Sequence, residues 1–143
     1  MHEAPASGQD TIMNLNDADI AMMRKVQLRL LDEFAALCEK HGFRYWLTCG
    51  TLIGAVRHKG FIPWDDDIDI AMPAKDFEAF LEIAQSELPP DIFLQTMKTD
   101  PGYSYHYAKL RDCNSCIIEM HELDKPAHHT GIYIRSEEHT SEL

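Results

Sequence analysis

Apolar residues recur every three or four positions near the start of the chain, which is the spacing of one helix face. The positions that share this spacing are Met23, Val26, Leu30, Phe34 and Leu37. Asn16 or Asp17 can cap the first turn and Gly42 can end the last one, so we predict a helix from Asp17 to His41. Residues 1–16 follow neither helix nor strand spacing, and we expect them to form a flexible N-terminal arm.

Shorter apolar runs follow, each bounded by turn residues. The runs with strand character are Phe43–Thr48, the acidic stretch Asp65–Met72, Ile92–Met97, Tyr103–Arg111 and Ser115–Met120, whereas Thr51–His58 and Pro73–Leu88 have helical spacing. Helices that alternate with strands predict an α+β fold, an α/β sandwich in which helices flank a small mixed sheet.

The end of the chain departs from this pattern. Gly131–Ile134 is typical of the start of an apolar strand, but residues 135–143 are polar and have no period. This last stretch also resembles a translated sequencing-library adaptor. We therefore predict an incomplete domain over residues 17–134, followed by a non-native or disordered tail at residues 135–143.

Length, charge and hydropathy limit which classes of function the sequence can support. The 143 residues suffice for one domain, and a net charge of −11 disfavours nucleic acid as a partner because the protein's field repels polyanions. No apolar run is long enough to predict a transmembrane segment, and the first residues do not resemble a signal peptide, so we expect a cytoplasmic protein with reduced cysteines.

The acidic run carries the clearest chemistry. In an extended strand Asp65, Asp67 and Asp69 share one face, while Ile68 and Ile70 point to the other. Carboxylates this close repel one another unless a cation lies between them, and oxygen ligands favour Mg²⁺ or Mn²⁺. The alternative is an ordinary solvated acidic turn before a strand.

A second candidate feature precedes the acidic run. Gly50 and Thr51 lie where a strand turns into a helix, and backbone amides at such a turn can bind phosphate. Arg57, His58 and Lys59 follow closely and could bind an anionic donor or leaving group; a solvated helix end is the alternative for all three residues.

The segment from Gly50 to Met72 closely resembles the signature of the LicD family, and Phe43–Thr48 and Tyr107–Arg111 are also similar to it. That family takes in bacterial phosphorylcholine transferases and fukutin-type ribitol-phosphate transferases, within the nucleotidyltransferase-fold superfamily. The resemblance implies a nucleotidyltransferase-like mixed sheet. It also implies metal-dependent transfer of a phospho-alcohol, such as phosphocholine, from a CDP-activated donor such as CDP-choline to a hydroxyl of a cell-surface glycan, for example lipopolysaccharide or teichoic acid.

The resemblance also implies roles for individual residues. Asp67 and Asp69 become the catalytic, metal-binding pair, and Asp65 becomes an additional metal-facing acid. Gly50 and Thr51 fall on the family's substrate-binding turn. Lys109 and Arg111, on a predicted strand, become candidates for phosphate contacts, with a solvated strand edge as the alternative for both.

One position departs from the family pattern. The chain has Arg135 where the family places an Asp that completes the metal site or serves as base. We therefore expect the parent protein to be a transferase and this chain to be weak or inactive. Two alternatives stay open: a nucleotidyltransferase that makes a nucleotide-activated compound, and a catalytically inactive nucleotide-binding fragment.

Overall fold

The first helix has the predicted bounds and the predicted caps. The computed structural model describes residues 16–62, 67–117 and 129–139, and its helix α1 spans Asp17–His41. The Asn16 side chain accepts a hydrogen bond from the Asp19 amide, the Asp19 carboxylate accepts one from the Asn16 amide, and Gly42 ends the helix at a φ of 71°. Residues 1–15 of the predicted arm lie outside the described ranges.

The other elements match most of the predicted ones but are shorter. They are β1 (Trp46–Leu47), α2 (Cys49–Ile53), a π-helical turn (Gly54–His58), β2 (Asp69–Pro73), α3 (Ala74–Glu87), β3 (Ile92–Gln95), β4 (Ala108–Asp112) and β5 (Tyr133–His139). The prediction of a strand at Ser115–Met120 is wrong for residues 115–117, which are not in a strand, and residues 118–120 lie outside the described ranges.

The strands form one mixed sheet in the order β1-β2-β5-β4-β3. β2 and β5 are parallel, and the other neighbouring pairs are antiparallel. The α+β class and the mixed sheet are therefore confirmed. Within the described ranges, no helix combines the length and the apolar composition that crossing a bilayer requires.

Strand β5 corrects the domain boundary that the sequence suggested. It runs beyond Ile134 to His139 and pairs with β2 from Asp69 opposite Arg135 to Pro73 opposite His139. The structure thus places residues 135–139 in the middle of the sheet rather than in a tail. Polar composition did not prevent this, because ladder hydrogen bonds join backbone atoms whatever the side chains are. The native or foreign origin of residues 135–143 stays a prediction.

The hydrophobic core lies on one face of the sheet. Helices α1 and α3 pack there, and the rings of Phe34 and Phe80 meet at 5.1 Å. The even-numbered strand residues Ile70, Leu110 and Ile134 belong to this core. Because strand side chains alternate, the odd-numbered residues, which include Asp69 and Arg135, face the other way.

Cys38 in α1 provides a test of this packing. It is fully buried, and burial together with the charge of Asp76 raises the pKa of its thiol to about 12. The thiolate is the reactive form, so iodoacetamide at mildly alkaline pH should leave Cys38 unmodified in the folded chain and modify it in urea. Cys49, Cys113 and Cys116 are exposed and should react in both conditions. Mass spectrometry of the peptides checks this; a Cys38 adduct in the folded chain would contradict the packing.

Candidate functional site

Two aspartates lie side by side at the start of β2. Asp67 and Asp69 are two residues apart on the face opposite the core, while Ile68 and Ile70 are buried in the core, as the alternation predicted. The side chains of Asp67 and Asp69 are 23% and 14% exposed, so both carboxylates are partly withdrawn from water. Asp65, the third predicted acid, lies outside the described residues.

The Gly50–Thr51 turn is hydrogen-bonded to this acidic segment. The Thr51 hydroxyl accepts a hydrogen bond from the Asp69 amide at 2.8 Å and donates one to the Asp67 carbonyl at 3.3 Å. The Thr48 amide also donates to the Asp69 carbonyl at 3.1 Å. The structure thus brings together two features that are 16 residues apart in sequence.

The turn itself is sharp and leads into a very short helix. Cys49 has a φ of 54°, a left-handed backbone conformation that residues other than glycine seldom adopt. Helix α2 has five residues and continues as the π-helical turn. A helix this short has a weak macrodipole, so the turn offers nearby backbone amides more than a helix field.

A cavity of about 530 Å³ opens beside the turn and the acidic segment. Gly50, Thr51, Lys59 and Asp67 line its polar side. Its other walls are mainly apolar side chains: Leu28, Leu31, Leu47, Ala55, Phe61, Ile62 and Ile68. Cavities of this size, apolar with a few convergent polar groups, are typical of sites for small molecules.

The basic residues that follow α2 are exposed. Arg57 and His58 end the π-helical turn, and both are solvent-accessible. Lys59 comes next, with a φ of 55°, and lines the cavity with Thr51 and Asp67. The sequence predicted that all three basic residues could contact an anionic donor, and of the three the cavity wall includes Lys59.

The Arg135 guanidinium contacts both aspartates. Its Nε donates a hydrogen bond to Asp69 Oδ1 at 2.6 Å, and its Nη2 is 3.7 Å from Asp67 Oδ2. Burial lowers the pKa of Arg135, but the hydrogen bond to Asp69 and the charges of Asp69 and Asp67 outweigh burial and raise it above the ordinary arginine value. The guanidinium is therefore a permanent positive charge at this position.

This contact decides whether the pair, as folded, fits a divalent cation. Asp67 and Asp69 supply the oxygen donors that Mg²⁺ or Mn²⁺ prefers, but the guanidinium already uses one oxygen of each. Within residues 16–62, 67–117 and 129–139, no three His, Cys, Asp or Glu side chains are grouped to hold a metal ion. The described residues therefore do not fit a metal ion in this arrangement.

Lys109 and Arg111, the predicted phosphate contacts on β4, are buried rather than on a solvated edge. Arg111 is fully buried; its Nε donates to Gln95 Oε1 at 2.7 Å and its Nη1 to the Gly131 carbonyl at 2.6 Å. Its guanidinium thus joins β3 and the segment before β5 across the sheet. In this arrangement Arg111 does not reach a ligand in solvent.

Tyrosine rings surround the Lys109 ammonium. Nζ lies 4.0 Å from the centre of the Tyr133 ring and between 5.6 and 6.0 Å from those of Tyr103, Tyr105 and Tyr107. Lys109 also pairs with Arg135 in the β4–β5 register, and Arg135 pairs with Asp69 in the β2–β5 register. Lys109, Arg135 and Asp69 therefore form a row across three neighbouring strands.

Sequence reasoning missed two features of the site, the Thr51 tether and the tyrosine cluster around Lys109. A signal for the cluster was present, because Tyr103, Tyr105 and Tyr107 alternate along the chain. The alternation did not show which residue they surround, since that depends on the pairing of β4 with β5.

Comparison with known proteins assigns this site to a family. The model of the family described as LicD/FKTN/FKRP, nucleotidyltransferase domain, matches residues 42–139. The match contains the Gly50–Thr51 turn, Asp67, Asp69 and the residues that line the cavity, apart from Leu28 and Leu31 of α1.

Curated relatives from bacteria and mammals align with the same region. The lipopolysaccharide cholinephosphotransferase LicD of Haemophilus influenzae is 42% identical over 95 residues, which are 66% of this chain and 36% of that protein. Human ribitol 5-phosphate transferase FKRP is 45% identical over 53 residues, 34% of this chain and 11% of that protein. Mouse ribitol-5-phosphate transferase FKTN is 27% identical over 97 residues, 68% of this chain and 19% of that protein. The aligned part of this chain spans little more than a third of the Haemophilus protein and less of the mammalian ones.

Proposed function

This chain belongs to the LicD/FKTN/FKRP family of nucleotidyltransferase domains, and on that premise we propose that it is the donor-binding part of a phospho-alcohol transferase. The donor is a CDP-activated alcohol such as CDP-choline, and the acceptor is a hydroxyl of a cell-surface glycan. The names of the relatives support this reaction class, since one is a lipopolysaccharide cholinephosphotransferase and the others transfer ribitol phosphate.

The observation that carries the proposal is the tether between the turn and the acidic segment. Thr51 joins Gly50 to the Asp67–Asp69 backbone through hydrogen bonds of 2.8 and 3.3 Å, and all of these residues except Asp69 also line the cavity. A nucleoside diphosphate has a planar base with apolar faces and a charged diphosphate. The cavity can receive the base, while the Gly50–Thr51 amides and the Lys59 ammonium bind the diphosphate.

The reaction forms one phosphorus–oxygen bond and breaks another. The acceptor hydroxyl attacks the phosphorus that carries the alcohol, and CMP leaves with the electron pair of the broken bond. The hydroxyl proton passes to a carboxylate, for which Asp67 and Asp69 are the candidates. The turn keeps the diphosphate in place during the transfer, which is a contribution from positioning and charge stabilisation.

The same geometry favours a second function for this chain taken alone. The Arg135 guanidinium contacts both candidate carboxylates, at 2.6 Å from Asp69 and 3.7 Å from Asp67, and so it occupies the position that an acceptor hydroxyl would need. A chain in this state would bind the nucleotide without turning it over. We therefore propose that donor binding belongs to this chain.

Calorimetric titration of CDP-choline, CDP and UDP into the chain and into Thr51→Val tests donor binding. We expect the original chain to bind the cytidine compounds more tightly than UDP. Thr51→Val should weaken that binding about tenfold, because the lost hydrogen bonds release the turn from the acidic segment.

Thr48→Val is the matched control, since its hydroxyl lies three residues away and contacts only the weak acceptor Cys49 Sγ, at 3.7 Å, among the hydrogen bonds described for it. We expect it to bind the donor as the original chain does. Equal affinities for cytidine and uridine compounds, or an unchanged affinity in Thr51→Val, would contradict the proposed donor site.

A further inference from the structure

The central position of Arg135 in the sheet fixes where its charge lies. Strand β5 pairs with β2 on one side and with β4 on the other, so its backbone cannot move without breaking two ladders. The Arg135 side chain is 28% exposed and lies over the Tyr107 ring at 5.1 Å. Ring and ladders together direct the guanidinium towards Asp67 and Asp69.

A divalent cation would need the same oxygens. Mg²⁺ binds carboxylate oxygen at about 2.1 Å, and Asp69 Oδ1 already accepts the Arg135 Nε–H at 2.6 Å. Two positive groups at one oxygen repel each other, and the partial burial of Asp69 leaves little water to screen that repulsion. The guanidinium and the metal ion therefore exclude one another.

We propose that Arg135 is the resident cation of the Asp67–Asp69 pair, and that a divalent metal ion binds this chain only by displacing its guanidinium. The two carboxylates, Asp67 and Asp69, then need no metal ion to offset their repulsion. Metal binding is weakened by the free energy that is needed to break the contact between Arg135 and the carboxylates. This proposal concerns cation binding alone and does not depend on which reaction the family member performs.

Metal binding by Arg135→Gln provides the test. Gln keeps most of the side-chain length and removes the charge, so it leaves two carboxylates without their counter-ion. Titration with Mn²⁺, followed by electron paramagnetic resonance, should show binding at least about tenfold tighter than in the original chain. Thermal unfolding should show the same difference: about 10 mM Mg²⁺ should raise the melting temperature of Arg135→Gln by several degrees and leave that of the original chain almost unchanged.

Arg29→Gln is the matched control. Arg29 of α1 also spans two aspartates, since it lies 3.0 Å from Asp91 and 4.0 Å from Asp112, but its side chain is 42% exposed and it contacts neither Asp67 nor Asp69 among the ion pairs described. We expect no gain in Mn²⁺ affinity there. An equal gain in Arg29→Gln would overturn the proposal, because any aspartate pair released from an arginine would then behave alike.

The remaining outcomes are also decisive. Equal Mn²⁺ affinity in the original chain and in Arg135→Gln would overturn the proposal. If Arg135→Gln folds only when Mg²⁺ is present, the proposal is supported. If it folds in neither condition, Arg135→Met decides, because Met also removes the charge but keeps an apolar stem against the Tyr107 ring: tighter Mn²⁺ binding than in the original chain supports the proposal, and unchanged binding overturns it.

Discussion

Replacing Gly54 with alanine is expected to destabilise the domain by about 3 kcal/mol, the upper end of the cost of overpacking, and to abolish donor binding. Gly54 is buried where α2 becomes the π-helical turn. A Cβ at this position would overlap the Gly60 carbonyl oxygen and lie 3.0 Å from the Ile62 amide nitrogen. Both are backbone atoms and cannot rotate away, so the segment that carries Gly50 and Thr51 must shift.

Gly60→Ala is the control for this prediction. Gly60 belongs to the same loop, but a Cβ there would meet nothing within 4 Å. Urea unfolding should give the original stability for Gly60→Ala and a lower midpoint with an unchanged slope for Gly54→Ala. If the two variants unfold alike, the close approach of Gly54 to Gly60 is not a feature of the folded chain.

Arg111→Met is expected to cost about 3 kcal/mol of stability, although it replaces a charged residue with an apolar one of similar length. The change leaves the Gln95 side-chain oxygen and the Gly131 carbonyl without the donors that they have at 2.7 and 2.6 Å. These acceptors are buried, so without the arginine they have no hydrogen-bond donor. The folded state then loses the full desolvation free energy of each acceptor.

The measurement is chemical unfolding beside Arg44→Gln, which removes a surface guanidinium. The Arg44 side chain is 73% exposed and pairs with Asp76 at 3.1 Å, so its loss should cost less than about 1 kcal/mol. A similar small cost for Arg111→Met would show that its hydrogen bonds do not hold the segment before β5 on the sheet.

The sequence best predicted the structural features that depend on residues close to one another in the chain. The bounds of α1 follow from the Asn16 cap, the apolar stripe and the stop at Gly42, which are all local. The shared face of Asp67 and Asp69 follows from strand alternation alone. The sequence predicted the Gly50–Thr51 turn and the aspartates as two separate features, and the Thr51 hydrogen bonds join them in the fold.

Features that depend on distant pairing could not be read from the pattern. The sequence predicted that the next strand after β4 is Ser115–Met120, but the next strand among the described residues is β5, which begins at Tyr133 and pairs with β4. Lys109 and Arg111 have the composition of a solvated edge, yet they are buried because β4 pairs on both sides and other segments cover their face. No local signal carries that information, since it arises from contacts between segments far apart in sequence.

The strand order has a consequence for how the chain acquires its fold. β5 is the last strand in chain order among the described residues, but it lies third in the sheet and alone connects β1–β2 with β4–β3. Until β5 has been synthesised, the edges of β2 and β4 that it will occupy have no partner, and unpaired strand edges tend to pair with other chains. Pairings of high sequence separation also form slowly. While the chain is being synthesised, β1–β2 and β3–β4 would therefore form two separate parts of the sheet with unpaired edges. These parts would join late in folding, and chaperones would be most important until then.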